Sequence, residues 1–268
     1  TNGITESIVV TISTNPSETG LIANNLLING VTIANGDLID NLNGTYSFTY
    51  TISEGDNNIL DGSQAIPISI ELKDPADNIS TAYTTSTIAG TPGIDAIRPT
   101  LSGVSFNPSS GVVGIGGTID VDITLGESGL TPNNSITING VSIANGDISV
   151  VGTTASFTYT VAAGNTDILD ASKIPFSFVL YDVNGNASLA YTEASILTTD
   201  CPGIDAHNPS INSVVFSPGS GTVVGIGGNI EVTINSTGSE TNLSANTIVI
   251  NGVTIPNGSV THNGDGTY

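Results

Sequence analysis

Side chains that carry oxygen occupy every second position of one late loop in this sequence, and that spacing could hold a cation. Asp182, Asn184 and Asn186 alternate with Val and Gly, as carboxylate and amide ligands do in loops that wrap Ca²⁺. Glu193 is out of register for the distal bidentate ligand of an EF-hand, so that motif is excluded. The same residues also favour a tight turn with positive φ and side-chain-to-backbone hydrogen bonds. The spacing leaves both interpretations open.

Further oxygen-bearing side chains lie in the linkers and in an earlier, related loop. Asp95 and Asp205 each stand four residues before a proline, where a cation could bridge two domains, although an aspartate near proline also simply initiates a turn. The earlier loop runs from Asp74 to Asn78 and lacks the glycine of its counterpart. Calcium is therefore the one candidate cofactor, with Asp74, Asp77, Asn78, Asp95, Asp182, Asn184, Asn186 and Asp205 as candidate ligands.

Residues that could support catalysis do not form a recurring set. His207 and His262 are the only histidines and neither recurs, so no Ser-His-Asp triad or histidine metal site can be assembled. The glycine-rich segment 111–117 precedes a strand and lacks the lysine of a phosphate-binding loop. Cys201 is the only cysteine, either an incidental linker residue or the site of an intermolecular bridge. We therefore expect no catalytic residues and no enzyme.

The charge of the chain limits its partners. Twenty-four acidic residues face only Lys73, Arg98 and Lys173, for a formal net charge of −21. Nucleic-acid binding needs basic side chains that displace counterions from phosphates, and an anionic membrane surface would repel this chain. We expect neither nucleic-acid binding nor membrane insertion in this segment. The polar, lysine-poor composition suits an extracellular, cell-surface location.

The sequence repeats with a period near 110 residues. The segment that begins at Pro92 returns at Pro202, and the one at Ile28 returns at Ile138 and Ile250. A period of this length fits a small domain with its own core. It predicts a first repeat at 1–90 that lacks its first strand, a complete second at 91–200, and a third at 201–268 that lacks its last strands. We expect a window on a longer protein; alternatively, a neighbouring chain supplies the missing strands.

Within each repeat, apolar and polar residues alternate as in half-buried strands. Ile119, Val121 and Ile123 alternate with polar residues, and Asn-Gly hairpin signals recur at Asn29, Asn139 and Asn251. Seven to nine short strands are predicted per repeat, including 118–125, 155–162, 174–181 and 187–196. This count predicts an all-β fold of tandem immunoglobulin-like β-sandwich domains in a linear array. Because the antibody cysteine pair and tryptophan are absent, the core is expected to be aliphatic with Phe and Tyr.

Several motifs of the second repeat have a familiar combination. They are Asp-x-x-x-Pro at Asp95, the segments 104–111 and 156–161, and the late loop 182–188. Together they resemble the tandem bacterial Ig-like repeats of long cell-surface adhesins and surface filaments. The resemblance implies a secreted, rod-like stalk, often rigidified by calcium. Gly117 departs from the pattern, because such repeats often have an acidic residue at that position.

The repeats and the resemblance lead to one main expectation about function. The chain is expected to be a non-enzymatic structural repeat of an extracellular adhesin stalk or cell-surface filament that projects a distal binding region. Its expected partners are neighbouring repeats of the same or adjacent chains, and surface glycans or proteins. Two alternatives stay open: a self-assembling filament or S-layer subunit completed by a neighbouring chain, and a carbohydrate-binding Ig-like module.

Overall fold

The computed structural model describes residues 1–84, 91–196, 200–237 and 243–268, and the chain is all-β. It divides into two compact units, residues 1–161 with 166–205 and residues 162–165 with 206–268. Apart from residues 162–165, the first unit contains the first two predicted repeats, and the second contains most of the third. The predicted end of the first repeat, at residue 90, lies outside the described residues.

The strands are short, as the sequence predicts, and they fall into three sets in chain order. The first repeat has β1 (Ser7–Ser13), β2 (Ile22–Ile28), β3 (Val31–Thr32), β4 (Ile39–Asp40), β5 (Thr45–Thr51), β6 (Ile68–Lys73) and β7 (Tyr83–Thr84). The second has β8 (Leu101–Asn107), β9 (Val112–Gly114), β10 (Thr118–Leu125), β11 (Thr131–Pro132), β12 (Thr137–Ile138), β13 (Val141–Ser142), β14 (Ser149–Val151), β15 (Thr154–Thr160), β16 (Phe176–Phe178), β17 (Leu180–Tyr181) and β18 (Tyr191–Thr192). Then follow β19 (Gly203–Asp205), β20 (Ile211–Ser217), β21 (Glu231–Ser236), β22 (Ile248–Ile250) and β23 (Val253–Ile255), and 3₁₀ turns lie at Asn35–Asp37, Asn145–Asp147, Glu193–Ser195 and Asn257–Ser259.

The second repeat has the strand order of an immunoglobulin-like sandwich. One sheet has the order β14-β15-β10-β8 and the other has the order β13-β12-β16-β18. In the letters of that fold these are D-E-B-A and C′-C-F-G, and all the pairings within them are antiparallel. The prediction of immunoglobulin-like β-sandwich repeats is therefore confirmed by the topology of this repeat.

The core of the second repeat lies between these two sheets and is aliphatic and aromatic. Strand β10 alternates exposed and buried residues along its length, and the side chains of Ile119, Val121 and Ile123 are fully buried. On the facing sheet Phe176 stacks on Phe178 with ring centroids 4.5 Å apart. Phe106 of β8 packs against Phe176 at 6.2 Å, so the first strand closes the sandwich over the second sheet.

The first repeat has the same two sheets with one strand fewer. Its sheets have the orders β1-β5-β4 and β3-β2-β6-β7, which correspond to B-E-D and C′-C-F-G. Strand β1 takes the place of β10, but in the described part of the repeat it pairs with β5 only. Tyr46, Phe48 and Tyr50 of β5 are buried in the core of this repeat.

The second unit contains the first strands of a third sandwich. Strand β20 pairs with β21, and β22 pairs with β23 around the third Asn-Gly turn. Backbone hydrogen bonds join Ile234 and Tyr268 in both directions, as the pairing of β1 with β5 joins Ile12 and Tyr46. The strand order again corresponds to the start of the repeat.

Candidate functional site

The late loop of the second repeat is closed by the carboxylate of Asp182. Its Oδ1 accepts the backbone N–H groups of Asn184 at 2.8 Å and Asn186 at 2.9 Å, and its Oδ2 accepts Asn186 Nδ2 at 2.9 Å. Gly185 adopts φ +84° between them. These are the side-chain-to-backbone bonds of a tight turn, so the turn interpretation of this spacing is observed.

This loop contacts the linker that enters the second repeat. Asn186 is only 2 % exposed, and its Nδ2 also donates to the carbonyl oxygens of Asp95 at 3.1 Å and Ile97 at 3.4 Å. Asn184 Nδ2 donates to Asp95 Oδ2 at 2.7 Å. The predicted residues Asp95, Asp182, Asn184 and Asn186 therefore lie together where the two repeats meet.

The first repeat contributes its N-terminal segment to the same contact. The backbone N–H of Ile4 donates to Asn186 Oδ1, which completes the bonding of a buried amide. Gly3 approaches so closely that a Cβ there would lie 2.5 Å from the Asn184 carbonyl oxygen and 2.7 Å from Asn186 Oδ1. We name this contact between residues 3–4, 95–98 and 182–187 the junction.

Arg98 connects both repeats across the junction. Its Nε donates to Glu54 Oε2 of the first repeat at 2.6 Å, and its Nη1 donates to the Ala187 carbonyl oxygen of the second at 2.9 Å. Its planar guanidinium has N–H donors that point in several directions, which suits it to hold two partners at once. Arg98 is the only arginine of the chain. That it stands alone was the available signal for a special role, and the sequence-based prediction did not include it.

Carboxylates give the junction a negative potential. The pKa of Glu127 is raised above its usual value, first by burial and then by the charges of Asp182 and Asp95. Burial is the larger cause, and the two aspartates add to it because like charges close together disfavour ionisation.

The donor set has the atom types that Ca²⁺ prefers, since carboxylate and amide oxygens are its usual ligands. However, Asp182 directs both of its oxygens to N–H groups of its own loop. Within the described residues, no group of three or more His, Cys, Asp or Glu side chains is placed to hold a metal ion. The four predicted ligands therefore act in this geometry as hydrogen-bonding groups.

The other predicted ligands lie elsewhere. Asp74 closes its loop as Asp182 does, accepting the N–H groups of Ala76 and Asn78 and the Asn78 side-chain amide, each at 2.8 Å. These bonds, the one to the Asn78 side chain first, hold the pKa of Asp74 below its usual value. Asp77 pairs with Lys73 at 2.8 Å, and the loop is exposed. Asp205 lies in β19, which pairs in parallel with β9.

Two asparagines of the Asn-Gly turns have a role that the hairpin prediction missed. Asn139 Nδ2 donates to Tyr159 Oη at 3.2 Å and to the Thr166 carbonyl oxygen at 2.9 Å. Asn29 Nδ2 does the same with Tyr50 Oη at 3.1 Å and the Asn57 carbonyl oxygen at 2.8 Å. The recurrence of Asn with a tyrosine 20 or 21 residues later was the available signal.

Other candidate features have plain structural surroundings. Cys201 is fully buried, and burial raises the pKa of its thiol, so its sulfur is placed as a packing group. Asp120 and Asp122 are exposed on the outer face of β10, as their alternation predicts. No helix among the described residues is long and apolar enough to cross a membrane.

Comparisons with known proteins add little to the geometry. No family model matches the chain, and no curated protein matches it either. Among solved structures it is similar to the I9–I11 tandem of titin, at 10 % identity over 95 % of this chain and 78 % of that one, with a TM-score of 0.31. The description as immunoglobulin-like repeats rests on the strand order of the two sheets.

Proposed function

We propose that this chain is a non-enzymatic structural segment of an extracellular adhesin stalk or cell-surface filament, which holds a distal binding region away from the cell. The observation that carries the proposal is the junction, where Asn186 of one repeat bonds to three backbone groups from outside its loop. A joint with a buried, fully bonded amide resists bending, because any rotation would expose or unpair that amide. Stiff joints between small sandwiches suit a stalk.

The test compares two equivalent asparagines. Asn186 and Asn78 make the same bonds within their own loops, but within the described residues only Asn186 also bonds across a junction. We expect Asn186→Ala to lower the melting temperature and to give small-angle scattering of a more flexible particle. Asn78→Ala is the matched control and should change the flexibility little. Equal scattering from both variants would contradict a stiffening role for the junction.

Calcium at the junction is a second part of the proposal. The convergence of Asp95 and Asp182 with the side-chain amides of Asn184 and Asn186 supports it. We expect EDTA to lower the melting temperature and to increase flexibility, and Asp95→Asn to remove most of that sensitivity. If chelation changes neither property, the junction works without calcium and only the hydrogen-bonded joint stands.

A further inference from the structure

Seven Asn-x-Ser/Thr sequences occur in the chain, and this is the pattern at which an oligosaccharide is attached to an asparagine side chain. The pattern alone does not distinguish among them. An acceptor asparagine must present its amide nitrogen, which forms the new bond, and the hydroxyl two residues later must be accessible for recognition. The seven begin at Asn43, Asn78, Asn133, Asn186, Asn235, Asn242 and Asn257, of which Asn242 lies outside the described residues.

Hydrogen bonds within the fold occupy the amide nitrogen at four of the described sites. Asn186 is buried, and its Nδ2 donates to three acceptors. Asn78 is exposed, but its Nδ2 donates to the carboxylate of Asp74 at 2.8 Å. The other two bonds join Asn235 Nδ2 to Ser213 Oγ and Asn257 Nδ2 to the Asn246 carbonyl oxygen. Each of these bonds must open before the nitrogen can react, so the folded chain disfavours all four sites.

Asn43, in the turn between β4 and β5, presents both groups together. It is exposed, and among the described residues its Nδ2 has no hydrogen-bond partner. Its Oδ1 accepts the Thr45 backbone N–H at 3.0 Å and the Thr45 hydroxyl at 2.6 Å, so the amide and the hydroxyl lie side by side at the surface. At Asn133, in contrast, the hydroxyl of Ser135 donates inward to the Val179 carbonyl oxygen. Asn43 is therefore the one described site that meets both requirements.

We propose that Asn43 is an N-glycosylation site and that its co-substrate is an oligosaccharide carried on a lipid pyrophosphate. Transfer forms a bond between Asn43 Nδ2 and the anomeric carbon of the first sugar. The bond from that carbon to the pyrophosphate oxygen breaks, the lipid pyrophosphate leaves with the bonding electron pair, and a base of the transferase takes one amide proton. The inference rests on the extracellular location in the proposed function, because this modification belongs to surface turns of exported chains.

The turn that carries Asn43 is fixed and lies away from the junction. The Gly44 carbonyl oxygen accepts both the backbone N–H and the hydroxyl of Thr14, each at 3.1 Å. Strand β5 leads from this turn toward Glu54, which pairs with Arg98, and its seven residues span about 20 Å. A glycan on Asn43 therefore leaves the junction uncovered, as a stalk with a stiff joint requires.

The third repeat has the same turn without the amide nitrogen. Asp265 occupies the position equivalent to Asn43, and its Oδ1 accepts the Thr267 backbone N–H at 3.0 Å and the Thr267 hydroxyl at 2.6 Å. Because the side chain is a carboxylate, it has no nitrogen to which a sugar could be attached. Asp265→Asn supplies that nitrogen in a turn with the same hydrogen bonds, so it provides a gain-of-site variant.

Transfer to the folded chain in vitro tests the site. The folded protein is incubated with a purified oligosaccharyltransferase and a lipid-linked oligosaccharide, and mass spectrometry of intact glycopeptides locates the sugar. We expect about tenfold more glycan at Asn43 than at Asn78, because the bond from Asn78 to Asp74 must open first. Asn43→Gln should remove this product, Thr45→Val should reduce it strongly, and Asp265→Asn should add a second site. Denatured protein is the control, in which the difference between Asn43 and Asn78 should largely disappear.

Two results would overturn the proposal. One is an occupancy of Asn43 in the folded protein that is no higher than that of Asn78 or Asn133. The other is an Asp265→Asn protein that gains no second glycan, since the geometry of the turn would then not select the site. The transfer reaction takes place at the far end of β5 from the junction, so neither result affects the Asn186→Ala test. The site and the stiff joint therefore fail independently.

Discussion

Tyr50 lies fully buried in the first repeat and donates its phenolic proton to Asp56 Oδ2 at 2.6 Å. Burial, and then the hydrogen bond to Asp56, raise the pKa of Tyr50 to about 12. The neutral phenol is therefore favoured in the folded state. Asn29 joins the same group through its amide, so one hydroxyl fixes both a turn and a neighbouring loop.

This shift predicts how the stability of the first repeat depends on pH. A group whose pKa is higher in the folded state contributes stability that is complete below its unfolded pKa, about 10 for tyrosine, and is lost as pH rises toward 12. We expect the tyrosinate absorbance to include a late titration that Tyr50→Phe removes. Asp56→Asn should lower that pKa in part, since burial remains as the larger cause. A titration unchanged by Tyr50→Phe would contradict the assignment.

At the residue scale, the directions and partners of side chains depend on contacts that the sequence pattern does not contain. The Asn-Gly pattern predicts a hairpin because Asn and Gly tolerate positive φ, and Asn139 and Gly140 adopt +47° and +76°. The pattern does not indicate which way the Asn139 side chain points, because that depends on Tyr159 and Thr166 brought close by the fold. Likewise, the spacing of Asp182, Asn184 and Asn186 left a tight turn and a cation loop open, and it did not indicate the contact of this loop with Asp95.

At the scale of elements, alternation located the strands well wherever one face is buried. The predicted 118–125 coincides with β10, and 155–162 overlaps β15 (Thr154–Thr160) closely. The predicted 174–181 is interrupted at Val179, whose carbonyl oxygen accepts the Ser135 hydroxyl at 2.5 Å. The predicted 187–196 is reduced to Tyr191–Thr192, because a capping box then starts a 3₁₀ turn at Glu193. A hydroxyl from another segment and a local capping box, neither of which alternation shows, set these limits.

The close approach of the first segment to the late loop gives a prediction at this scale. Gly3→Ala would place a Cβ 2.5 Å from the Asn184 carbonyl oxygen in the late loop. This oxygen belongs to the backbone of the tight turn, so it cannot move without opening the turn. Overpacking of this kind costs about 1–3 kcal/mol. We expect calorimetry to show a lower melting temperature together with more flexible scattering. Gly36→Ala is the control, since nothing lies within 4 Å of a Cβ there. Similar melting of both variants would show that the junction tolerates separation.

At the scale of the whole molecule, the sequence predicted the architecture because each repeat contains the same alternation of apolar and polar residues and the same turn signals. The order of sheets in the second repeat recurs in the first with one strand fewer, and the start of the same order recurs in the second unit. The net charge, in contrast, is a property of the whole chain. The chain has only three basic residues, and two of them, Arg98 and Lys73, form ion pairs with Glu54 and Asp77.

The net charge of −21 predicts how the whole chain responds to ions. Repulsion among carboxylates destabilises the compact state, and its range falls from about 30 Å at 0.01 M salt to about 3 Å at 1 M. We expect the melting temperature to rise with NaCl and then to level off. Replacing the exposed Asp120 and Asp122 with asparagine should reduce the rise, because these carboxylates contribute to the repulsion without taking part in the core. At equal ionic strength MgCl₂ and CaCl₂ should raise the melting temperature equally if they act by screening alone. A further increase with CaCl₂ that Asp95→Asn removes would indicate a specific Ca²⁺ ion at the junction. A melting temperature that does not change with NaCl would mean that the surface charges are too far apart to oppose folding.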